Sequence, residues 1–350
     1  ADVLDGGTGL DLASFSDATA GVSVNLANTA ANTGDAQGDV YVSIEQLGGS
    51  DFADSLTGDS GGNTIWAGAG DDLLQGGAGA DALNGGDGWD TADYSASLAG
   101  VQIILGSLSS GGDAAGDQLS GIENLAGSAF ADMLTGDAGT NVLSGGAGND
   151  VLSGAAGADT LNGGTGTDTA SYAGASAGVV VNLTNASTNT GDAKGDSYSS
   201  IENLTGSNFA DMLTGKSGAN VLNGGLGKDM LTGAAGADDL YGGAGADTFV
   251  FKTLSDSTVS STGRDTIFDF SHAQGDRIKL SSIDANTAKV GDQSFIFKGT
   301  AEFSGAKGEL RYDKQASDTY VYGDVNGDKK ADFAIHLDDA VKFVASDFLL

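Results

Sequence analysis

The sequence predicts an all-β protein built by repetition, and three observations carry that prediction. Nine-residue units follow one another without a gap, as in GGAGNDVLS, GAAGADTLN and GGTGTDTAS between Gly145 and Ser171. A longer period lies over them: ADVLDGGTGLDLASF, ADALNGGDGWDTADY, ADTLNGGTGTDTASY and ADDLYGGAGADTFVF begin at residues 1, 80, 158 and 237. The remaining hundred or so residues alternate aromatic or β-branched residues with polar ones, the pattern of half-buried strands.

Each nonad is a small-residue turn ending in an acid at the sixth place (Asp150, Asp159, Asp168), then a short β-prone tail with an apolar eighth residue (Leu152, Leu161, Ala170). Glycine reaches backbone angles that a β-carbon forbids, and it leaves carbonyls uncovered. A carboxylate beside bare carbonyls is the ligand set of a hard cation such as Ca2+, which takes roughly six to eight oxygens. The nonad resembles G-G-x-G-x-D-x-U-x of the repeats-in-toxin (RTX) family, and the resemblance extends over most of the chain. It implies a parallel β-roll in which two nonads make one turn and successive loops on one edge enclose calcium.

Five nonads run consecutively in each of three blocks, starting at residues 49, 127 and 206. The expected calcium ligands are the carboxylates of Asp11, Asp54, Asp72, Asp81, Asp90, Asp132, Asp150, Asp159, Asp168, Asp211, Asp229, Asp238 and Asp247. With them go the turn glycines Gly68, Gly70, Gly77, Gly79, Gly86, Gly88, Gly146, Gly148, Gly157, Gly164, Gly166, Gly225, Gly227, Gly236, Gly243 and Gly245. By the resemblance the three blocks hold on the order of nine calcium ions. Two departures recur. The first nonad of each block has Phe52, Phe130 or Phe209 in place of the second glycine of the turn, which suggests a packed cap. The second nonad has Asn63, Asn141 or Asn220 at the sixth place, a neutral oxygen expected to bind more weakly.

Between blocks lie inserts of about 33 residues whose apolar runs GVSVNL, GVQIIL and GVVVNL read as strands. Each insert carries an acid pair, Asp35 with Asp39, Asp113 with Asp117, and Asp192 with Asp196, open to two readings: another cation site or a solvated hairpin tip. Glu45, Glu123 and Glu202, the only glutamates before residue 247, occupy equivalent places in SIEQL, GIENL and SIENL, where the chain is expected to rejoin the stack.

Composition sets the physical problem. The chain has 350 residues, 59 of them glycine, and a formal net charge of -33. Self-repulsion and glycine entropy oppose collapse of such a polymer, so a cationic component is expected to be part of the fold. The same charge argues against nucleic acid as a partner. Absence of cysteine excludes disulfides and thiolate metal sites, and absence of proline removes slow isomerisation from refolding. No run of about 18 apolar residues is present to span a bilayer. No N-terminal secretory leader is visible, and residue 1 falls inside a repeat. A longer parent protein is therefore expected upstream, the alternative being a terminal repeat that simply begins late.

After residue 246 the chain changes: 12 of 15 basic residues and 10 of 14 Phe lie beyond it. Residues 1–246 are expected to form the β-roll and 247–350 a second domain, an antiparallel sheet or sandwich assembled from DTFVFK, DTIFDF, DRIKLS, QSFIFKG, GELRYD, DTYVYGDV and DFAIHL. This region resembles the C-terminal domain of serralysin-type secreted proteases, which implies a cap on the roll and a type I secretion signal. The terminal ASDFLL, an acid before three apolar residues, is similar to that uncleaved signal. Asp324, Asn326, Asp328 and Asp332 in DVNGDKKAD have alternating oxygens, but Lys329 and Ile335 stand where an EF-hand needs Gly and Glu, and a tight turn between strands is the favoured reading.

A search for catalysis returns little. Two histidines, His272 and His336, cannot assemble a three-histidine zinc site or H-E-x-x-H, so the resemblance covers roll and cap without a protease. GDSGG at Gly58–Gly62 matches G-x-S-x-G, but Ser60 is a repeat position with no designated histidine. The expectation is a secreted calcium-binding protein or the C-terminal region of one, with no catalytic residues of its own. Its partners would be calcium, the type I secretion machinery and, on a cell surface, polysaccharide or further copies of the chain. The alternative is the export and folding module of an upstream enzyme.

Overall fold

The computed structural model describes all 350 residues, and apart from single 3-10 turns every element is a strand. The reason is local: turn glycines end each strand after about three residues, too few for a helix to nucleate. The chain forms two compact units, Ala1–Ala170 with Asp196–Ile201, and Ser171–Gly195 with Glu202–Leu350. The change in composition at residue 246 falls inside the second unit.

In the first unit strands pair in parallel at a step of two nonads, Leu56 with Leu74 and Ile65 with Leu83. Consecutive nonads therefore feed opposite sheets, as the roll requires. Eighth-place residues point inward: Leu56, Ile65, Leu74, Leu83, Leu134, Leu143, Leu152 and Leu161 are 0–1% exposed. Seventh and ninth residues face outward or lie at the margins, in keeping with the two-residue strand period.

The inserts do something the sequence did not disclose. In the second insert Gln102–Ile104 opens a new ladder with Met133–Thr135, Gln118–Ser120 closes an old one on Ala82–Asn84, and Asn124–Ala126 continues the sheet shared by both blocks. The first insert repeats the scheme: Ser23–Asn25 opens on Ser55–Thr57, Val40–Val42 closes on Val3–Asp5, and Gln46–Gly48 continues Leu12–Ser14. Each of these two inserts is thus one three-stranded coil that hands the roll from one pair of sheets to the next.

In the second unit the parallel ladders run on past the change in composition. Thr248–Val250 and Arg277–Lys279 extend one ladder, which Phe348–Leu349 ends; Thr266–Ile267 extends the other and pairs in parallel with Phe333–Leu337. Only Glu309–Lys314, Thr319–Asp324 and Phe333–Leu337 form an antiparallel meander. The expected antiparallel region is therefore shorter than residues 247–350: DTFVFK, DTIFDF and DRIKLS belong to the roll's ladders. Phe270, Tyr312, Phe343 and Phe348 pack ring against ring beneath the meander. No helix is long and apolar enough to cross a membrane.

Candidate metal centre

The sixth-place acids stand in ladders. In each, the Oδ1 atom accepts a hydrogen bond from the backbone N–H of the sixth residue one coil earlier: Asp72 from Asp54 (2.7 Å), Asp90 from Asp72 (2.9 Å), Asp81 from Asn63 (2.7 Å), Asp150 from Asp132 (2.9 Å), Asp168 from Asp150 (2.8 Å) and Asp159 from Asn141 (2.8 Å). The third block repeats this with Asp229, Asp238 and Asp247. The second oxygen decides the chemistry. Oδ2 of Asp11, Asp72, Asp81, Asp90, Asp150, Asp159, Asp229, Asp238 and Asp247 is buried and has no hydrogen-bond partner. A buried carboxylate oxygen without a partner costs free energy unless a proton or a cation meets it.

The space around that oxygen is made by glycine. A Cβ on Gly76, Gly145, Gly154, Gly224 or Gly233, each the first residue of its nonad, would collide with the Oδ2 of its own aspartate. At Gly146 (φ +103°) and Gly148 (φ +128°) the backbone lies in the left-handed region, and a Cβ would strike the Ser128 and Phe130 carbonyls. The other turn glycines expected at the site share this conformation except Gly236. Stacking places the carbonyls of Gly68, Gly70, Gly146, Gly148, Gly225 and Gly227 against the next turn on the same edge, at Gly86, Gly88, Gly164, Gly166, Gly243 and Gly245. Orphaned carboxylate oxygens beside stacked carbonyls fit a hard divalent cation.

Two groups of sixth-place residues differ. Asp54, Asp132 and Asp211 were expected as ligands, but protein donors fill both of their oxygens. Oδ2 takes the N–H of Ser50, Ser128 or Ser207, and Oδ1 takes the serine hydroxyl together with the N–H of Val22, Val101 or Val179. These three close the first turn of a block and have no oxygen left over. Asn63, Asn141 and Asn220 satisfy themselves: each amide NH2 donates to the carbonyl of Glu45, Glu123 or Glu202, and each Oδ1 accepts a backbone N–H four residues earlier. The amide hydrogen does at these places what a cation would do at the aspartates.

The ladder also recruits acids outside the nonads. Asp117 and Asp196 receive the N–H of Asp81 and Asp159, Glu45 and Glu123 that of Asp11 and Asp90, and Asp265 and Asp276 that of Asp238 and Asp247. The insert acids Asp39, Asp117 and Asp196 are buried rungs and not hairpin tips. Asp117 has its second oxygen met by the Tyr94 hydroxyl at 2.8 Å, whereas Asp265 Oδ2 is orphaned like those of the nonads. A signal existed for most of these: an acid, one residue, then a buried apolar residue, as in Glu123-Asn-Leu125 or Asp265-Thr-Ile267, with half-buried Tyr41 and Tyr198 in that place after Asp39 and Asp196. In DVNGDKKAD the oxygens of Asp324 and Asp332 are taken by backbone N–H groups and the Asn326 amide, so the segment is a turn.

Electrostatics agrees with the geometry. Burial, reinforced by neighbouring carboxylates, pushes the Asp72, Asp150, Asp159 and Asp238 carboxyls up to about 6 and those of Asp81 and Asp229 to about 7. Asp265, almost fully enclosed and next to Asp238, rises to about 9. Without a cation these groups give up their protons less readily than an ordinary aspartate.

The family described as peptidase M10 serralysin C terminal matches residues 3–350. The chain belongs to this family. Its members are RTX-type domains of secreted, calcium-binding proteins, and the RTX assignment extends to the serralysin-like end of the chain. No curated protein is similar to the chain at a significant level. Among solved structures, the AlgE6R3 subunit of the Azotobacter vinelandii mannuronan C5-epimerase is 28% identical, covering 42% of this chain and 76% of its own, with a TM-score of 0.31. The AlgE6R2 subunit of the same enzyme is 26% identical, covering 43% and 92%, with a TM-score of 0.30.

Proposed function

We propose that this serralysin-type RTX chain is a non-catalytic module whose biochemical work is calcium-dependent folding after export. The observation that carries the reading is the set of buried Oδ2 atoms lacking a partner at Asp72, Asp81, Asp90, Asp150, Asp159, Asp229, Asp238 and Asp247. The three asparagines and the three serine-capped aspartates, where protein donors complete the shell, show the contrast. Calcium supplies positive charge and coordination to these oxygens, and the chain's own residues supply the rest: glycines open the space, Oδ1 atoms lock successive coils and leucines exclude water. A ligand that binds only the folded chain stabilises it by mass action, so low cytosolic calcium leaves the chain extended for the type I machinery and external calcium closes the roll.

The biological setting is a structural, surface-layer or adhesive role, with polysaccharide or further copies as partners. A second reading, export and folding module of a secreted enzyme, is favoured by membership of a family described by a peptidase's C terminus. Intact mass of the secreted product separates the two: a catalytic domain ahead of Ala1 supports the second, and further repeats the first. Circular dichroism with and without chelator tests the calcium reading. Loss of most β signal on chelation, restored by calcium, is expected, and identical spectra and melting points would end it.

A further inference from the structure

We propose a second kind of metal site in this chain, for a borderline divalent cation such as Zn2+ or Co2+, built by His336, Asp318 and Asp338 on the antiparallel meander. Thr319 pairs with Leu337 and Tyr320 with His336, so by the same register Asp318 stands opposite Asp338. The two-residue period then puts His336, Asp338, Tyr320 and Asp318 on one face of the strand pair. One ligand atom from each of His336, Asp318 and Asp338 lies within 4.8 Å of the other two.

The imidazole is already oriented for coordination. Its Nδ1 is 3.1 Å from the Thr266 hydroxyl on the neighbouring parallel strand, and its ring stacks on Tyr320 at 4.8 Å. A ring held by Nδ1 presents Nε2 outward, the arrangement found where an outer partner fixes a metal-binding histidine. Nε2 faces Asp318 Oδ1 at 3.4 Å, longer than a good N–H···O hydrogen bond. Ligands bonded to one tetrahedral Zn2+ at about 2.0–2.1 Å stand about 3.3 Å apart. No lysine or arginine forms an ion pair with Asp318 or Asp338; the nearby Arg264 donates to the Val259 carbonyl and lies over the Tyr320 ring. One nitrogen and two carboxylates suit a borderline cation better than the all-oxygen shells of the roll. The ion would clamp the start of Thr319–Asp324 to the end of Phe333–Leu337.

The test uses the full chain saturated with calcium, so that the roll's carboxylates are occupied. Titration with Zn2+ by calorimetry, and with Co2+ by visible absorption, is expected to reveal one further site per chain. His336→Gln and Asp338→Asn should each weaken it at least 100-fold, and Thr266→Val about 10-fold or more, with the calcium-replete dichroism spectrum unchanged. Asp338 is exposed, so its variant keeps the test meaningful should His336→Gln disturb the meander. Absence of saturable uptake would identify the His336 and Asp318 contact as a plain ion pair and overturn the proposal. So would uptake that survives either ligand substitution in folded protein.

Discussion

At the residue scale the sixth place of the nonad is a switch between two ways of completing a buried shell. Asparagine brings its own hydrogen-bond donor, whereas aspartate outside the serine-capped first nonads leaves Oδ2 buried without a protein donor. Asp150→Asn should therefore have opposite effects in two buffers. In calcium it removes one anionic ligand and lowers both ion stoichiometry and melting temperature. In chelator it removes a carboxyl that burial and its ladder neighbours push up to about 6, and raises the residual stability. Equal shifts of one sign in both buffers would contradict the switch. Ala155 (φ +66°) and Ala234 (φ +78°) occupy left-handed turn positions that other nonads give to glycine. Left-handed alanine costs about 1–2 kcal/mol, partly offset by the greater freedom of unfolded glycine. Ala155→Gly is expected to raise the calcium-replete stability by about 1 kcal/mol in a denaturant melt.

At the element scale, the recurring unit is the coil and its fastening to the next. Tyr94 lies buried with its hydroxyl on Asp117, the rung by which the second insert fastens to Asp81. Tyr94→Phe leaves that carboxylate oxygen buried and unpaired, a loss of about 1–3 kcal/mol expected in thermal unfolding; an unchanged melt would show that water takes the hydroxyl's place. The nonads were legible in the sequence because each carries its own turn, acid and core leucine within nine residues. The insert coils were not, because their pairing is set by partners 31 to 37 residues away, as Gln102 with Met133 and Val40 with Val3. Asp265 and Asp276 carry no nonad signature for a related reason: they continue the ladder without the Gly-x-Gly turn of a nonad before them. The filled oxygens of Asp54, Asp132 and Asp211 depend on Ser50, Ser128 and Ser207, second residues of their nonads, whose hydroxyls composition does not distinguish from solvent-facing ones.

At the scale of the whole molecule, charge governs stability. The ladder aspartates have folded-state values raised from 3.8 to about 6 or 7, so the metal-free fold binds more protons than the unfolded chain. For groups shifted upward, the metal-free fold is favoured below the unfolded value and loses that support as pH rises through the folded one. In chelator, β-sheet dichroism should therefore strengthen as pH falls from about 7 towards 4, with protons taking the place of calcium. In millimolar calcium the same range should be flat or reversed, since protons then compete with the ion. A chelated sample whose signal declines steadily on acidification would refute this ordering.

The ladder has a direction. Each coil offers its backbone N–H to an oxygen that arrives later in the chain, Asp54 to Asp72 in the first block and Asp247 to Asp276 beyond the third. A polypeptide that enters a calcium-rich medium tail first would meet every acceptor before its donor, and could zip shut coil by coil behind the leading end. Threading in the opposite sense would leave each newly emerged turn waiting for its fastener.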